Sequence, residues 1–336
     1  MPHLDSLLLL PAHTVDRLVI LVLALGLDWL IGDLPALFRF VPHPVIIIGK
    51  AIALFDRRLN RLARSSATRR RRGVYTLLFL VVAAALIGFG LSLLAARFGR
   101  WGGVLELLVV AVMVAQRSLY DHVARVMRAL DSEGLAAGRV AVSHIVGRNP
   151  ASLDAHGVVR AGIESLAENF SDGVVAPVLF YLLAGLPGLL VYKTVNTLDS
   201  MIGHKTPRHL AFGWASARFD DLLNLIPARL AGLLVGLAAL FVPQGAPLKA
   251  LTTMFRDAGK HRSPNAGWPE AAMAGALDLA LAGPRRYGDI TVTDPWMGSG
   301  RARATVADMR AALRVFQVAC LIQVLALGIA ALVLTA

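Results

Sequence analysis

The chain has 336 residues, 56% of them hydrophobic and 17% charged, with a mean hydropathy of +0.63. Soluble domains carry about a quarter charged residues, so this composition excludes an ordinary soluble enzyme and points to an integral membrane protein. The net charge of +12, from 34 basic and 22 acidic residues, suits cytoplasmic loops, anionic headgroups and anionic substrates. With no recognised nucleic-acid motif, nucleic acid is not expected as a partner.

The N-terminus shows neither a basic n-region nor a small-residue cleavage site, so no removable signal peptide is expected. The first apolar run, 14–31, approaches the length of a membrane span. It ends at Asp28 and Asp33, and Pro35, Pro42 and Pro44 then break helix. His43 lies between two prolines, either in a stiff turn or as a ring presented to a polar site. An arginine-rich flank follows. Arg57, Arg61 and Arg64 are spaced to share one helix face, and Arg69 to Arg72 run consecutively. This flank fixes orientation and suits anionic lipid.

Residues 74–94 and 104–119 read as a helical hairpin with a short turn, and Glu106 lies inside its second arm. The second arm continues as QRSLYDHV, with Arg117 and Asp121 on one face and Ser118 and His122 on an adjacent one. Residues 131–160 look helical and soluble. A turn at Gly147, Asn149 and Pro150 holds Arg148, where an anion could sit, and Ser152 is the candidate helix cap.

Glu164, Glu168 and Asp172 recur every fourth residue, so on a helix they form an acidic stripe beside Asn169. Such a stripe calls for cations, and Mg²⁺ needs only one or two carboxylates, the rest of its shell coming from water and phosphate. Residues 174–192 are apolar but interrupted by Pro177, Gly185, Pro187 and Gly188, which predicts a broken or re-entrant helix. Asp199 follows, with Asn196, Thr197 and Ser200 around it and Lys193 and Lys205 on either side. Arg218 precedes Asp220 and Asp221. Aspartates near fixed cations suit metal-assisted phosphoryl transfer, while the missing GxxxxGK(S/T) loop excludes a P-loop site.

Residues 222–242 form another apolar run, entered through Pro227 and Arg229. Polar, basic chain then continues to Arg310, including SPNAGWPE with Asn265 and Glu270 and a Gly/Pro-rich surface stretch at 283–300. The last apolar run, 313–334, contains Cys320, the only cysteine, which excludes an intramolecular disulfide.

Together these segments predict an all-α, polytopic integral membrane protein with about 4–6 membrane segments, some broken or re-entrant, and cytoplasmic helical loops. The chain reads as one membrane domain, 1–336, with polar catalytic segments at 116–173, 192–229 and 256–277. Positive flanks place 39–73, 120–173 and 243–312 on the cytoplasmic side, and if both middle apolar runs cross, 193–221 lies outside. If both middle apolar runs re-enter, all the polar segments share that side and their charges converge on one pocket.

The blocks DWLIGDLP with HPV (28–45), QRSLYDHV (116–123), VSHIVGRNPASLD (142–154), ESLAENFSDGVVAP (164–177), YKTVNTLDSMIG (192–203), FGWASARFDDLLNLIPARL (212–230) and RDAGKHRSPNAGWPEAAMAGAL (256–277) carry a resemblance. In this order they resemble the CobD/CbiB family, the adenosylcobinamide-phosphate synthases of cobalamin biosynthesis. Leu34 and Asn149 depart from the family's pattern beside Asp33 and Arg148. The resemblance implies that a carboxyl of adenosylcobyric acid is joined to (R)-1-aminopropan-2-yl phosphate with consumption of ATP. It implies that Glu164, Glu168, Asp172, Asp199, Asp220 and Asp221 are catalytic, and that Glu168, Asp172, Asp220 and Asp221 hold Mg²⁺. Lys193, Lys205, Arg218, Arg117, Arg148 and Arg229 would then meet phosphate, and Asn169, Asn196, Asn265, Glu270, His43 and His122 would contact substrate. Membrane lipid is an expected partner, and a homo-oligomer is compatible with the sequence. Two other readings stay open: a metal-dependent phosphotransferase acting on a lipid or prenyl alcohol, and a non-enzymatic membrane sensor.

Overall fold

The computed structural model describes residues 11–32, 38, 42–146, 150–287 and 290–336. Asp33, Arg148 and Asn149 lie outside them. The helices in chain order are α1 (Pro11–Ile31), α2 (Pro44–Leu59), α3 (Ser66–Arg97), α4 (Arg100–Met113), α5 (Gln116–Arg128), α6 (Leu135–Ser143), α7 (Ala155–Phe170), α8 (Ala176–Ile202), α9 (Trp214–Leu223), α10 (Leu225–Ala238), α11 (Pro247–Asp257) and α12 (Gly267–Ala276). Two antiparallel strands, β1 (Leu281–Tyr287) and β2 (Ile290–Met297), precede the last helix, α13 (Val306–Thr335). The protein is thus a helical, multi-pass membrane protein. Four stretches are long and apolar enough to cross a bilayer: Ser66–Arg97, Trp101–Glu133, Ala155–Ile202 and Val306–Thr335. A fifth is added if Trp214–Leu223 and Leu225–Phe241 count as one bent span. Along α3 the exposed Leu78, Val82 and Leu86 repeat every fourth residue, a stripe that suits lipid tails better than water.

The chain sorts into two compact units. The first comprises 1–114, 176–223 and 327–336. Its core joins Ile52 of α2, Leu77 and Leu80 of α3, Val195, Leu198 and Ile202 of α8, and Phe212. The second comprises 115–175 and 224–326. There α12 packs on α10 and α11, and α7 packs on α5, α6 and α12.

The interruption expected in residues 174–192 is a break at Gly185, whose φ of 62° and ψ of −150° leave the helical region. Pro187 two residues on has no N–H to continue the ladder. The break strips carbonyls of their helical partners in an apolar setting, where each such group costs free energy. Arg17 of α1 answers this: its Nη1 donates to the carbonyls of Leu182 and Leu183, both at 3.2 Å. Close by, the Tyr181 hydroxyl donates to Glu106 Oε1 at 2.8 Å, so the carboxyl in the arm of the hairpin faces protein, as expected.

Three local expectations are corrected, and the place of His43 is added. Arg57, Arg61 and Arg64 do not share a helix face, because α2 ends at Leu59 and Asn60 turns away with φ −93° and ψ 62°. The cap of α7 is Asp154, which accepts from Gly157 N at 2.6 Å, whereas Ser152 lies in a preceding 3₁₀ turn. His43 caps α2 by accepting from Val45 N at 3.2 Å, with Pro44 in the first turn, where a missing N–H is harmless. The surface stretch at 283–300 contains most of the β1–β2 hairpin, which an alternation interrupted by Pro284 and Pro295 did not announce.

A Cβ at Gly185 would force a side chain into a positive-φ conformation, at a cost of about 1–3 kcal/mol. Gly185→Ala therefore lowers the thermal unfolding midpoint of detergent-purified protein. Gly90→Ala, at an exposed helical site with open space around it, serves as the control. Equal midpoints for the two variants would contradict this account of the break.

Candidate functional site

In the first unit, the part of α8 beyond the break presents Lys193, Asn196 and Asp199 at three-residue steps. Lys193 is buried, and Asn196 and Asp199 are half-buried. The hydroxyls next to Asp199 are turned back to their own helix: Thr197 Oγ1 donates to Lys193 O at 2.6 Å and Ser200 Oγ to Asn196 O at 2.9 Å. The chain then loops through His204 and Lys205 and returns along α9 with Arg218, Asp220 and Asp221. Asp220 is buried, whereas the Asp221 side chain is 30% exposed; consecutive helical residues diverge by about 100°. Asp199 lies close enough to Asp221 to feel its charge. His204 stands by Asp199. Lys205 and Arg218 stand by Asp221, and Arg218 Nη1 lies 3.6 Å from its Oδ2. Two acids and two fixed cations thus gather where α8, α9 and their loop meet.

In the second unit the expected acidic stripe divides. Glu164 is buried and its Oε1 accepts from Ala282 N at 2.8 Å, while Glu168 is exposed and Asp172 falls in a π turn, Ser171–Val175, that shifts the helical phase. The face that acts as a unit runs the other way. His156 Nδ1 meets Ala304 O at 2.9 Å, Arg160 Nη1 donates to Ala302 O at 2.5 Å, and Glu164 holds Ala282. These residues stand at four-residue steps and fasten the hairpin and its exit to α7. Asn169 turns back to Ser165, donating to its carbonyl at 2.9 Å. On α5, Arg117 Nε donates to Asp121 Oδ2 at 3.0 Å and His122 Nδ1 lies 2.7 Å from Ser118 O.

The SPNAGWPE segment is tied together by polar contacts. Arg229 Nη1 donates to Asn265 Oδ1 at 3.2 Å, and its guanidinium lies 4.3 Å over the Trp268 ring. Glu270, also buried, has Oε1 3.7 Å from His261 Nε2. Just upstream is a cluster that the sequence reading did not single out. Asp257 is fully buried and receives Arg256 Nη2 at 2.7 Å, Lys260 Nζ at 2.7 Å and Gly298 N at 2.8 Å. The Arg256 hydrogen bond leads in holding its carboxyl well below the usual carboxylate range, against the opposing effect of burial. Lys260, His261, Arg262, Ala282, Asp294, Pro295 and Met297 line a cavity of ≈ 110 Å³. The available signal was Arg256–Asp257 with Lys260 one turn on, an acid bracketed by cations inside an otherwise apolar chain.

Of the expected metal ligands, Glu168 and Asp172 belong to the second unit and Asp220 and Asp221 to the first. Among the described residues neither unit by itself gathers three or more His, Cys, Asp or Glu side chains fit to hold a metal ion. The Asp199–Asp221 pair nonetheless fits Mg²⁺ of the kind that takes one or two carboxylates and completes its shell from phosphate and water.

Fold and clusters together define a helical multi-pass membrane protein with acids and cations concentrated at helix ends and connecting loops. The family described as CobD/Cbib protein matches residues 21–316. Relatives named cobalamin biosynthesis protein CobD include one from Sinorhizobium sp, 56% identical over 305 residues, covering 90% of this chain and 94% of the relative. One from Rhizobium meliloti is 52% identical, covering 95% and 98%, and one from Rhodobacter capsulatus is 47% identical, covering 93% and 96%. No solved structure matches. The chain belongs to the CobD/CbiB family.

Glu164→Ala leaves the Ala282 N–H without its carboxylate acceptor, at a cost of about 1–3 kcal/mol. The variant should unfold at lower temperature and be cleaved faster by protease within 281–297. Glu164→Gln keeps an acceptor oxygen and should stay near wild type. Identical behaviour of the two variants would refute the fastening role.

Proposed function

We propose that the protein acts in cobalamin biosynthesis as an ATP-dependent ligase. It joins a carboxyl of adenosylcobyric acid to the amine of (R)-1-aminopropan-2-yl phosphate, giving adenosylcobinamide phosphate. Family membership and the names of the relatives support the pathway. The gathering of Asp199, Asp221, Lys205 and Arg218 is the observation that carries the ATP-dependent chemistry.

A carboxylate is a poor electrophile at neutral pH. Transfer of the γ-phosphoryl group of ATP to a carboxylate oxygen breaks the terminal P–O bond, releases ADP and leaves an acyl phosphate. The amine then attacks the acyl carbon, phosphate departs and the ammonium proton is lost, leaving the amide. In this scheme Lys205 and Arg218 bind the phosphate oxygens and neutralise their charge as the group transfers. Asp199 and Asp221, with Asp220 behind them, would hold Mg²⁺, which when bound supplies charge neutralisation on the ATP phosphates. Lys193 and Asn196 line the same helix and complete the polar wall. In the second unit we assign Glu168, Asp172 and Asn169 to the substrates, and Arg117, Arg229, Asn265 and Glu270 to the amino-alcohol phosphate and its amine. The polar segments would face the cytoplasm, where ATP is available.

The test supplies membranes carrying the protein with adenosylcobyric acid, ATP, Mg²⁺ and aminopropanol phosphate and follows the amide product. ATP consumption should require both the corrinoid and the amine, and Asp221→Asn should cut turnover by about 100-fold or more. Absence of amide with every component present, or full activity in Asp221→Asn, would overturn the reading.

A further inference from the structure

The loop that carries His204 and Lys205 is gripped by residues that none of the roles above uses. Asp56, near the end of α2, receives Arg208 Nη2 at 2.6 Å and Nε at 3.1 Å on Oδ2. Its Oδ1 takes Asn60 Nδ2 at 2.7 Å and faces His209 Nε2 at 3.6 Å. Asn60 also donates to Arg208 O at 3.0 Å, and Arg69 Nε donates to Asn60 Oδ1 at 2.8 Å. Arg69 Nη2 reaches the carbonyls of Pro207 and Arg208. A few residues on, Phe212 is fully buried and its carbonyl is packed against Gly73 of α3, leaving no room for a Cβ. The loop is thus fixed by its side chains and its backbone together.

These contacts are not surface decoration. The side chains of Asp56 and His209 are 13% and 17% exposed, and Asn60 and Arg69 are buried. Burial alone would raise the Asp56 carboxyl, but the hydrogen bonds of Asn60 and Arg208 and the neighbouring charges hold it below the usual carboxylate range. Asp56 is therefore ionised at neutral pH, and charge-assisted bonds of this kind are the strong ones. Three residues separate Lys205 from His209, too short a span to wander once Pro207, Arg208 and His209 are held.

We propose that Asp56 is a positioning residue: through Arg208 and His209 it sets the 204–209 loop so that Lys205 stands against Asp221 and His204 against Asp199. The inference rests on the reading of Lys205 and Asp221 as phosphate-handling groups and adds the element that places them.

The test uses the full-length protein in detergent with Asp56→Asn, Asp56→Glu, the milder His209→Gln and Lys205→Met. Two readouts are taken: the rate at which an amine-acylating reagent labels Lys205, followed by mass spectrometry, and the KM for ATP in the ligation assay. Asp56→Asn should label Lys205 about tenfold faster and raise the KM for ATP about tenfold, with Asp56→Glu closer to wild type and His209→Gln between. On a Lys205→Met background the KM effect of Asp56→Asn should vanish, because coupled residues are not additive. Unchanged labelling in Asp56→Asn and His209→Gln overturns the proposal, and so do KM effects that multiply. Should Asp56→Asn fail to fold, His209→Gln alone decides. If wild-type protein shows no ATP-dependent turnover, the ligase reading fails, while the labelling rates still decide the positioning claim.

Discussion

The constraint behind most of this structure is that an ionised or hydrogen-bonding group in so apolar a chain must find a partner inside the protein. Each answer is specific. Arg17 serves the carbonyls freed at Gly185, Glu106 accepts from Tyr181, Asp257 is enclosed by Arg256, Lys260 and a backbone N–H, and Asp56 holds Arg208. In a soluble protein such groups would hydrate at little cost. Here the partners dictate where loops run.

That constraint separates two kinds of charge. Some are committed to architecture: Glu164 to the hairpin, Asp56 to the 204–209 loop and Asp257 to the backbone just after β2. Others are brought together against their electrostatic preference. Asp199 and Asp221 approach each other although like charges repel, and Lys205 and Arg218 sit beside them. An arrangement that stability alone would not favour is where a bound, multiply charged ligand is expected.

The helical, membrane-embedded class was legible because composition and the apolar runs speak directly to it, and the break in α8 was legible because Gly185 and Pro187 have only a few uses in an apolar helix. The partner of each charge was not legible. Sequence spacing suggested Glu164, Glu168 and Asp172 as one stripe, yet a π turn shifts the helical phase at Asp172, and the face whose bonds fasten the hairpin runs the other way, through His156, Arg160 and Glu164. Asp220 and Asp221 are adjacent in sequence, whereas the approach of Asp199 to Asp221 depends on a chain reversal, which depends in turn on the distant Asp56. The hairpin was missed because its prolines mask the alternation, and the Asp257 cluster because its parts look like an ordinary basic loop.

The most direct test of the central claim, that Asp199 and Asp221 together form a polyphosphate-binding pair, is equilibrium binding of ATP with Mn²⁺ in place of Mg²⁺, read by electron paramagnetic resonance on detergent-purified protein. Asp199→Asn and Asp221→Asn should each weaken binding by about tenfold or more, and the double variant should lose less than the product of the two. Binding as tight as wild type in both single variants would contradict the account.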